Sequence, residues 1–246
     1  MDHMIYTALS GAKHILEQQA TNSHNLANAT STGFRAQIDA FQAMPVEGDG
    51  LPTRAFVVDS TAGTDFTPGP IQATNRDLDV AVQGQGWLAV SRADGSEGYT
   101  RNGSLKVSEN GVLQTSSGLT VQGDRGSISI PPDVSITIAK DGTVSTVSNN
   151  TLPWPTTVIG RLKLVNPPES SLVRGDDGLF VTRDGSPAEA DASVSLVGGA
   201  LEGSNVNVVE AMVNMISLAR QFDTQMKLMQ NGENNDSKAA QLLSLS

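Results

Sequence analysis

This 246-residue chain predicts an α+β protein, mainly β: an antiparallel β body flanked by N- and C-terminal helices that pair as a coiled coil on assembly. Three observations predict it. Val208, Met212, Met215, Ala219, Phe222, Met226 and Met229 recur at alternating spacings of four and three, a heptad seam that keeps one helix face toward a partner. Ile5, Leu9, Ala12 and Leu16 repeat the rhythm at the other end of the chain. Between the two, turn signals from Asp94-Gly95 to Asp184-Gly185 separate short Val/Ile/Leu/Thr runs. That spacing suits an antiparallel sandwich or barrel-like domain, not βαβ units.

Residues 1–35 open the chain as a helix, running to about Asn28. Ala8 and Ile15 sit beside its stripe, which turns polar at Gln19 and Ser23 before Leu26 restores it. So narrow a stripe cannot hold a lone helix, because most helix stability comes from packing the apolar face. Both chain ends are therefore expected to be mobile in a dilute monomer and to order on assembly. Asn28 ends the helix, Gly33 permits positive φ, and Phe34 anchors the segment beyond it. Residues 36–77 read as a linker, since Pro45, Gly48, Gly50, Pro52, Pro68, Gly69 and Pro70 break any periodicity. One strand is expected there, from Ala55 to Ser60.

The β body spans residues 78–200. Leu78, Val80 and Val82 alternate, Trp87 to Val90 forms a second strand, and Val134 to Ile138 and Thr157 to Val165 supply further runs. Asp-Gly and Asn-Gly pairs mark the turns. Residues 201–246 form the closing helix and tail. Asn207 caps the helix, with Glu210 three residues on. Val209, Val213 and Ile216 widen its stripe, and Gly232 offers a left-handed stop.

Composition narrows the function. A net charge of −10 argues against a nucleic-acid partner. Cysteine is absent, which excludes disulfides and thiolate metal sites. No run reaches the roughly 18 apolar residues of a membrane span. The N-terminus lacks a signal peptide's apolar core, so export would use a route without a cleaved signal. His3 and His14 stand about 16 Å apart along a helix, and His24 is a further ten residues on, so they share no metal ion. Gly84-Gln85-Gly86-Trp87-Leu88-Ala89 matches G-x-G-x-x-A. That motif needs a helix to receive a pyrophosphate, and here the chain runs straight to the Asp94-Gly95 turn. Every histidine lies in the N-terminal helix, so a Ser-His-Asp triad would require that helix to dock on the sheet. Asp176-Asp177 and Asp184 fall in turns, where Asp has a backbone role. The reading is therefore no enzyme, no cofactor and no metal.

Three stretches carry a family resemblance. Asn25-Leu26-Ala27-Asn28 leads through Gly33-Phe34 to a basic Arg35. Leu78 to Trp87, with Gly84 and Gly86, precedes Tyr99-Thr100-Arg101-Asn102-Gly103, Asn110-Gly111 and Leu119 to Gly123. Leu201-Glu202-Gly203-Ser204-Asn205 opens the closing helix motif that ends at Val213. Together they resemble the flagellar rod and hook family, in which a sheet domain sits between terminal helices. Trp87-Leu88 departs from the aromatic pair frequent there. The opening Met1-Asp2 through Ile5-Tyr6-Thr7-Ala8 to Ser10-Gly11-Ala12 is most similar to proximal-rod members, as are Arg161 to Pro167 and Arg174 to Phe180.

The resemblance implies a structural subunit of the periplasmic basal-body rod, transmitting torque from motor to hook. It implies proximal and distal rod subunits, further axial proteins, copies of itself and the flagellar type III export apparatus as partners. Its interface would be Ile5, Leu9, Ala12, Leu16 and Leu26 with the seam from Val208 to Met229. A distal-rod or hook subunit is the alternative within the family. A secreted ligand-binding β protein is the alternative outside it, and such a protein would not require heptad seams at both ends.

Overall fold

The computed structural model describes residues 2–45, 55–148 and 156–244; Met1, Gly48, Gly50 and Pro52 lie outside them. The chain divides into two compact units, residues 1–29, 36–65 and 206–246 in the first, 30–35 and 66–205 in the second.

The first unit pairs helix α1, Asp2–Ala27, with helix α2, Val208–Ser244. Asn28 closes α1 as expected: its backbone N–H meets the carbonyls of His24 and Asn25, and its side-chain amide donates to His24 O at 2.9 Å. Asn207 caps α2, its Oδ1 accepting from the N–H groups of Val209 and Glu210 at 3.1 and 3.3 Å. The helices run antiparallel. Ile5 lies against Gly232, Gly11 against Gln225, and Asn22 donates to Ala211 O at 2.7 Å. Gly232 is thus no helix stop, since α2 runs on from it to Ser244. A Cβ there would lie 3.2 Å from Ile5 Cγ1, so the small residue serves close helix approach.

Residues 36–77 are not the irregular linker expected from their prolines and glycines. Strand β1, Gln37–Pro45, pairs antiparallel with β2, Ala55–Thr64, from Gln37↔Thr64 to Pro45↔Ala55, with one irregularity at Ala40/Phe41. Pro45 is tolerated because it sits at the end of its strand.

The second unit is the β body, and it is wider than residues 78–200: it takes in 30–35 and begins again at 66. All its pairings are antiparallel. The largest sheet runs Leu172–Arg174, Phe180–Thr182, Glu97–Thr100, Trp87–Ser91, Thr120–Gly123, Leu113–Thr115, Leu105–Val107, with two short strands attached. Val134–Ile138, Thr143–Ser148 and Thr156–Arg161 make a three-stranded sheet. Val80–Gln83 pairs with Ser195–Gly198, and Ile71–Ala73 with Ala200–Glu202. Strand Trp87–Ser91 serves two cores by its alternation. Leu88 and Val90 enter the main aliphatic cluster with Leu105, Leu113 and Val144. Trp87 and Ala89 enter an aromatic one with Tyr99, Leu172 and Phe180. Both cores are buried, so this strand reads as continuously apolar instead of half polar.

The turns repeat one device. Asp94, Asp141 and Asp184 each precede a glycine of positive φ, and each accepts from the backbone N–H and hydroxyl of the residue two positions on, Ser96, Thr143 and Ser186. These bonds, the hydroxyl first, hold all three carboxyls below the ordinary aspartate value of 3.8. A depressed folded-state pKa gives stability that is present above the unfolded value and lost as pH falls through the folded one. We predict a melting temperature flat from neutral pH to about pH 5, then falling toward pH 3. Asp141→Asn should flatten that fall slightly, as thermal unfolding across the range would show; an unchanged profile would refute the assignment.

Candidate functional site

Two features stand out, one in each unit. In the first, each helix carries two adjoining apolar stripes. On α2 the residues turned to α1 are Ala211, Met215, Leu218, Phe222, Gln225, Met229 and Gly232, again spaced four and three, and they are buried or half-buried. On α1 the inner set is Ile5, Ala8, Ala12, Ile15 and Leu26, and the small side chains let the backbones approach. Of the sequence-derived seam, Ile5, Ala12, Leu26, Met215, Phe222 and Met229 fall on this inner stripe. Leu9, Leu16, Val208, Met212, Ala219 and Met226 do not, and are exposed. Leu9, Leu16 and Met212 are each 51 % exposed and the flanking Val213 and Ile216 59 and 55 %. The seam expected from the sequence is rotated from the packed one because the stripe is too wide to show which part of it the chain itself uses.

Asn25, a signature residue, ties the end of α1 to the hairpin. Its Nδ2 donates to Gln37 O at 2.8 Å and its Oδ1 accepts from Gln37 N–H at 2.9 Å. Thr21 adds a hydroxyl bond to Asp39 at 2.8 Å. One amide side chain thus satisfies both polar groups of a strand's first residue, which explains an Asn at this position.

In the second unit three segments meet on one buried carboxylate. Arg35 Nη2 donates to Glu202 Oε1 at 2.6 Å and Arg101 Nη1 to Oε2 at 3.0 Å, with all three side chains no more than 4 % exposed. Gly69 N–H adds a third donor at 3.0 Å, and Gly33 N–H donates to the Glu202 carbonyl at 2.7 Å. Arg101 also donates to the carbonyls of Val82 and Gly84, at 3.3 and 2.7 Å, and lies 5.3 Å above the Trp87 ring. Burial pulls its pKa down, and Glu202 partly restores it. The hydroxyl of Tyr99 accepts from Ala188 N–H at 2.7 Å, and Phe34 is buried under the guanidinium of Arg174, 4.6 Å away.

The signature glycines are explained by the same packing. Gly33 has φ +68°, and a Cβ there would collide with the Arg101 backbone. Gly103 has no left-handed φ, contrary to its reading as a turn glycine; a Cβ would collide with the Val80 carbonyl oxygen. Arg35, Arg101 and Glu202 each stand in one of the three sequence motifs, and the motifs alone do not join them. A charged residue in each otherwise glycine-rich or apolar motif was the available signal. His14 Nδ1 faces Glu17 at 3.0 Å on α1, and a strand, Trp87–Ser91, follows Gly84-Gln85-Gly86.

Residues 81–146 match the flagellar hook protein FlgE/F/G D1 domain, and residues 197–242 the flagellar basal body rod FlgEFG protein C-terminal region. Those matches define the class, the structural proteins of the flagellar rod and hook. The flagellar basal-body rod protein FlgF of Escherichia coli K12 is 50 % identical over the whole of both chains, and FlgF of Salmonella typhimurium LT2 48 % over the whole of both. FlgF of Caulobacter vibrioides is 31 % identical over 94 % of each. The chain belongs to the FlgF family of flagellar basal-body rod proteins and is a structural subunit of that rod.

Breaking a buried ion network by neutralising one member costs about 3–5 kcal/mol, because the remaining charges stay buried and unpaired. Glu202→Gln should therefore lower the melting temperature of the β body by on the order of 10 °C. An unchanged melting curve by circular dichroism would contradict this. Gly103→Ala should cost about 1–3 kcal/mol or more through overpacking, whereas Gly95→Ala, in an open turn, should cost about 1 kcal/mol from its φ alone.

Proposed function

We propose that this chain is a proximal-rod subunit that joins neighbouring rod and axial subunits, and copies of itself, through the outer apolar stripes of α1 and α2, and so passes torque from motor to hook. The observation that carries the reading is the exposed set Leu9, Leu16, Met212, Val213 and Ile216 on helices whose other stripe is already occupied. Apolar surface left in water is unfavourable by about 25 cal/mol per Å², and a contiguous patch of it marks an interaction surface. Relatives named as rod proteins carry the same C-terminal region, which supplies partners of matching chemistry. The inner stripe lets α2 hold α1, and the outer one leaves it able to meet a second helix.

Catalysis forms no part of this reading. Among the described residues no three His, Asp or Glu side chains cluster as a metal site. Asp94, Asp141 and Asp184 hold turns, and Arg35, Arg101 and Glu202 build the buried anchor. No described helix is long and apolar enough to cross a membrane, which fits attachment by assembly. Export by the flagellar type III apparatus to a periplasmic rod follows from the family reading.

Ile216 and Phe222 separate assembly from folding. Ile216 is exposed in the single subunit, so Ile216→Asp should leave its melting curve unchanged. In the assembled rod it would bury an unpaired carboxylate, at a cost of several kcal/mol. We predict loss of swimming and absence of the variant from purified basal bodies. Phe222→Asp strikes the inner stripe instead, and should loosen the α1–α2 pair in the isolated subunit by about 3 kcal/mol or more. Normal motility with Ile216→Asp would sink the proposed interface.

A further inference from the structure

Arg174 is an arginine of the second unit that takes no part in the Glu202 anchor. Arg35 and Arg101 share the one carboxylate, and among the described residues Arg174 makes no ion pair. Its guanidinium donates from Nη1 to Arg35 O at 3.0 Å and stacks on Phe34, with Phe180 6.0 Å away. Burial lowers its pKa with no opposing charge to restore it. Asp177, an acid lining the same cavity, is already engaged: its Oδ2 takes Arg92 Nε at 2.7 Å and its Oδ1 the Leu179 N–H at 3.1 Å. Arg174 is thus left without a carboxylate of its own, in a chain whose net charge is −10.

Beside Arg174 lies a cavity of about 160 Å³, lined among others by Thr32, Thr100, Asn102 and Ser117. Arg35 also contributes to its lining. A polar cavity with an uncompensated guanidinium and hydroxyls fits a charge-assisted acceptor. Filling it with an apolar group would leave each of those donors unsatisfied.

We propose that the cavity beside Arg174 binds a single oxyanion of the carboxylate or phosphate class. The guanidinium of Arg174 would supply the paired donors and the hydroxyls of Thr32 and Thr100 the remaining contacts. The site lies wholly in the β unit, and the proposal does not depend on the outer helix stripes. The anion is either free in solution or an acidic side chain of a neighbouring chain; both present the same chemistry.

The test uses the full chain. Its melting temperature is followed while sodium acetate, inorganic phosphate or a terminally blocked aspartate replaces sodium chloride at constant ionic strength. A saturating rise of several degrees is expected for at least one of them, since a ligand of the native state alone stabilises it. Arg174→Gln should abolish the rise, and Arg183→Gln, which alters an exposed arginine, should keep it. Phosphate acting alone identifies the free ion, whereas acetate and blocked aspartate acting together identify the side chain. Should Arg174→Gln fail to fold, backbone amide shifts of the unaltered protein decide. Changes confined to the Thr32, Asn102 and Gly178 region support the site. No rise with any of the three, a rise that survives Arg174→Gln, or amide shifts spread over the surface would overturn it.

Discussion

A carboxylate taken out of water must be matched by donors, and Glu202 is matched by two arginines and a backbone N–H. The rest of the β body is arranged around this requirement. Arg35 must arrive from the stretch after α1, Arg101 from the end of the strand Glu97–Thr100, and Glu202 from the strand Ala200–Glu202. Each arrival needs space that a side chain would fill, hence glycine at 33 and 69, where a Cβ would collide with the backbone of another segment. The charged cluster is a poor source of net stability, because desolvation offsets most of the Coulomb gain. Its effect is on register: only one alignment of three distant segments pairs the charges, and any slip strands them.

Aromatic packing supports the same point. Trp87 and Phe180 stack at 4.6 Å between centroids, with Phe66 edge-on to Trp87 at 6.0 Å. Arg101 covers Trp87 and Arg174 covers Phe34. A chain with only 4 % aromatic residues thus concentrates them where the arginines need a flat polarisable surface. The small core around Trp87 and the ion cluster are one construction, and the larger aliphatic core fills the remainder of the body.

The helical unit follows a different rule. Ala8, Ala12 and Gly232 let α1 and α2 approach closely on their inner stripes, beside larger residues such as Ile15, Met215 and Phe222. Further large apolar side chains, Leu9, Leu16, Met212 and Ile216, are left on the outside. That outer stripe is the surface the proposed assembly would use.

The sequence by itself determined the order of elements, the antiparallel character of the body, the Asp-Gly turns, both helix caps and the family. Those properties rest on local periodicity, φ preferences and contiguous motifs, which are written in neighbouring residues. It did not show that Gln37–Pro45 and Ala55–Thr64 pair, because Pro and Gly near a long connection read as breakage whether or not the flanking strands pair. Nor did it show which part of the α2 stripe faces α1, since so wide an apolar band satisfies either phase. Gly232 reads as a stop because a helix-ending glycine and a close-packing glycine are the same letter. Arg35, Arg101 and Glu202 stand 66 and 101 residues apart in the chain, and nothing local relates them. Only the tertiary structure could make them one site, because a buried charge finds its partner through space and not along the chain.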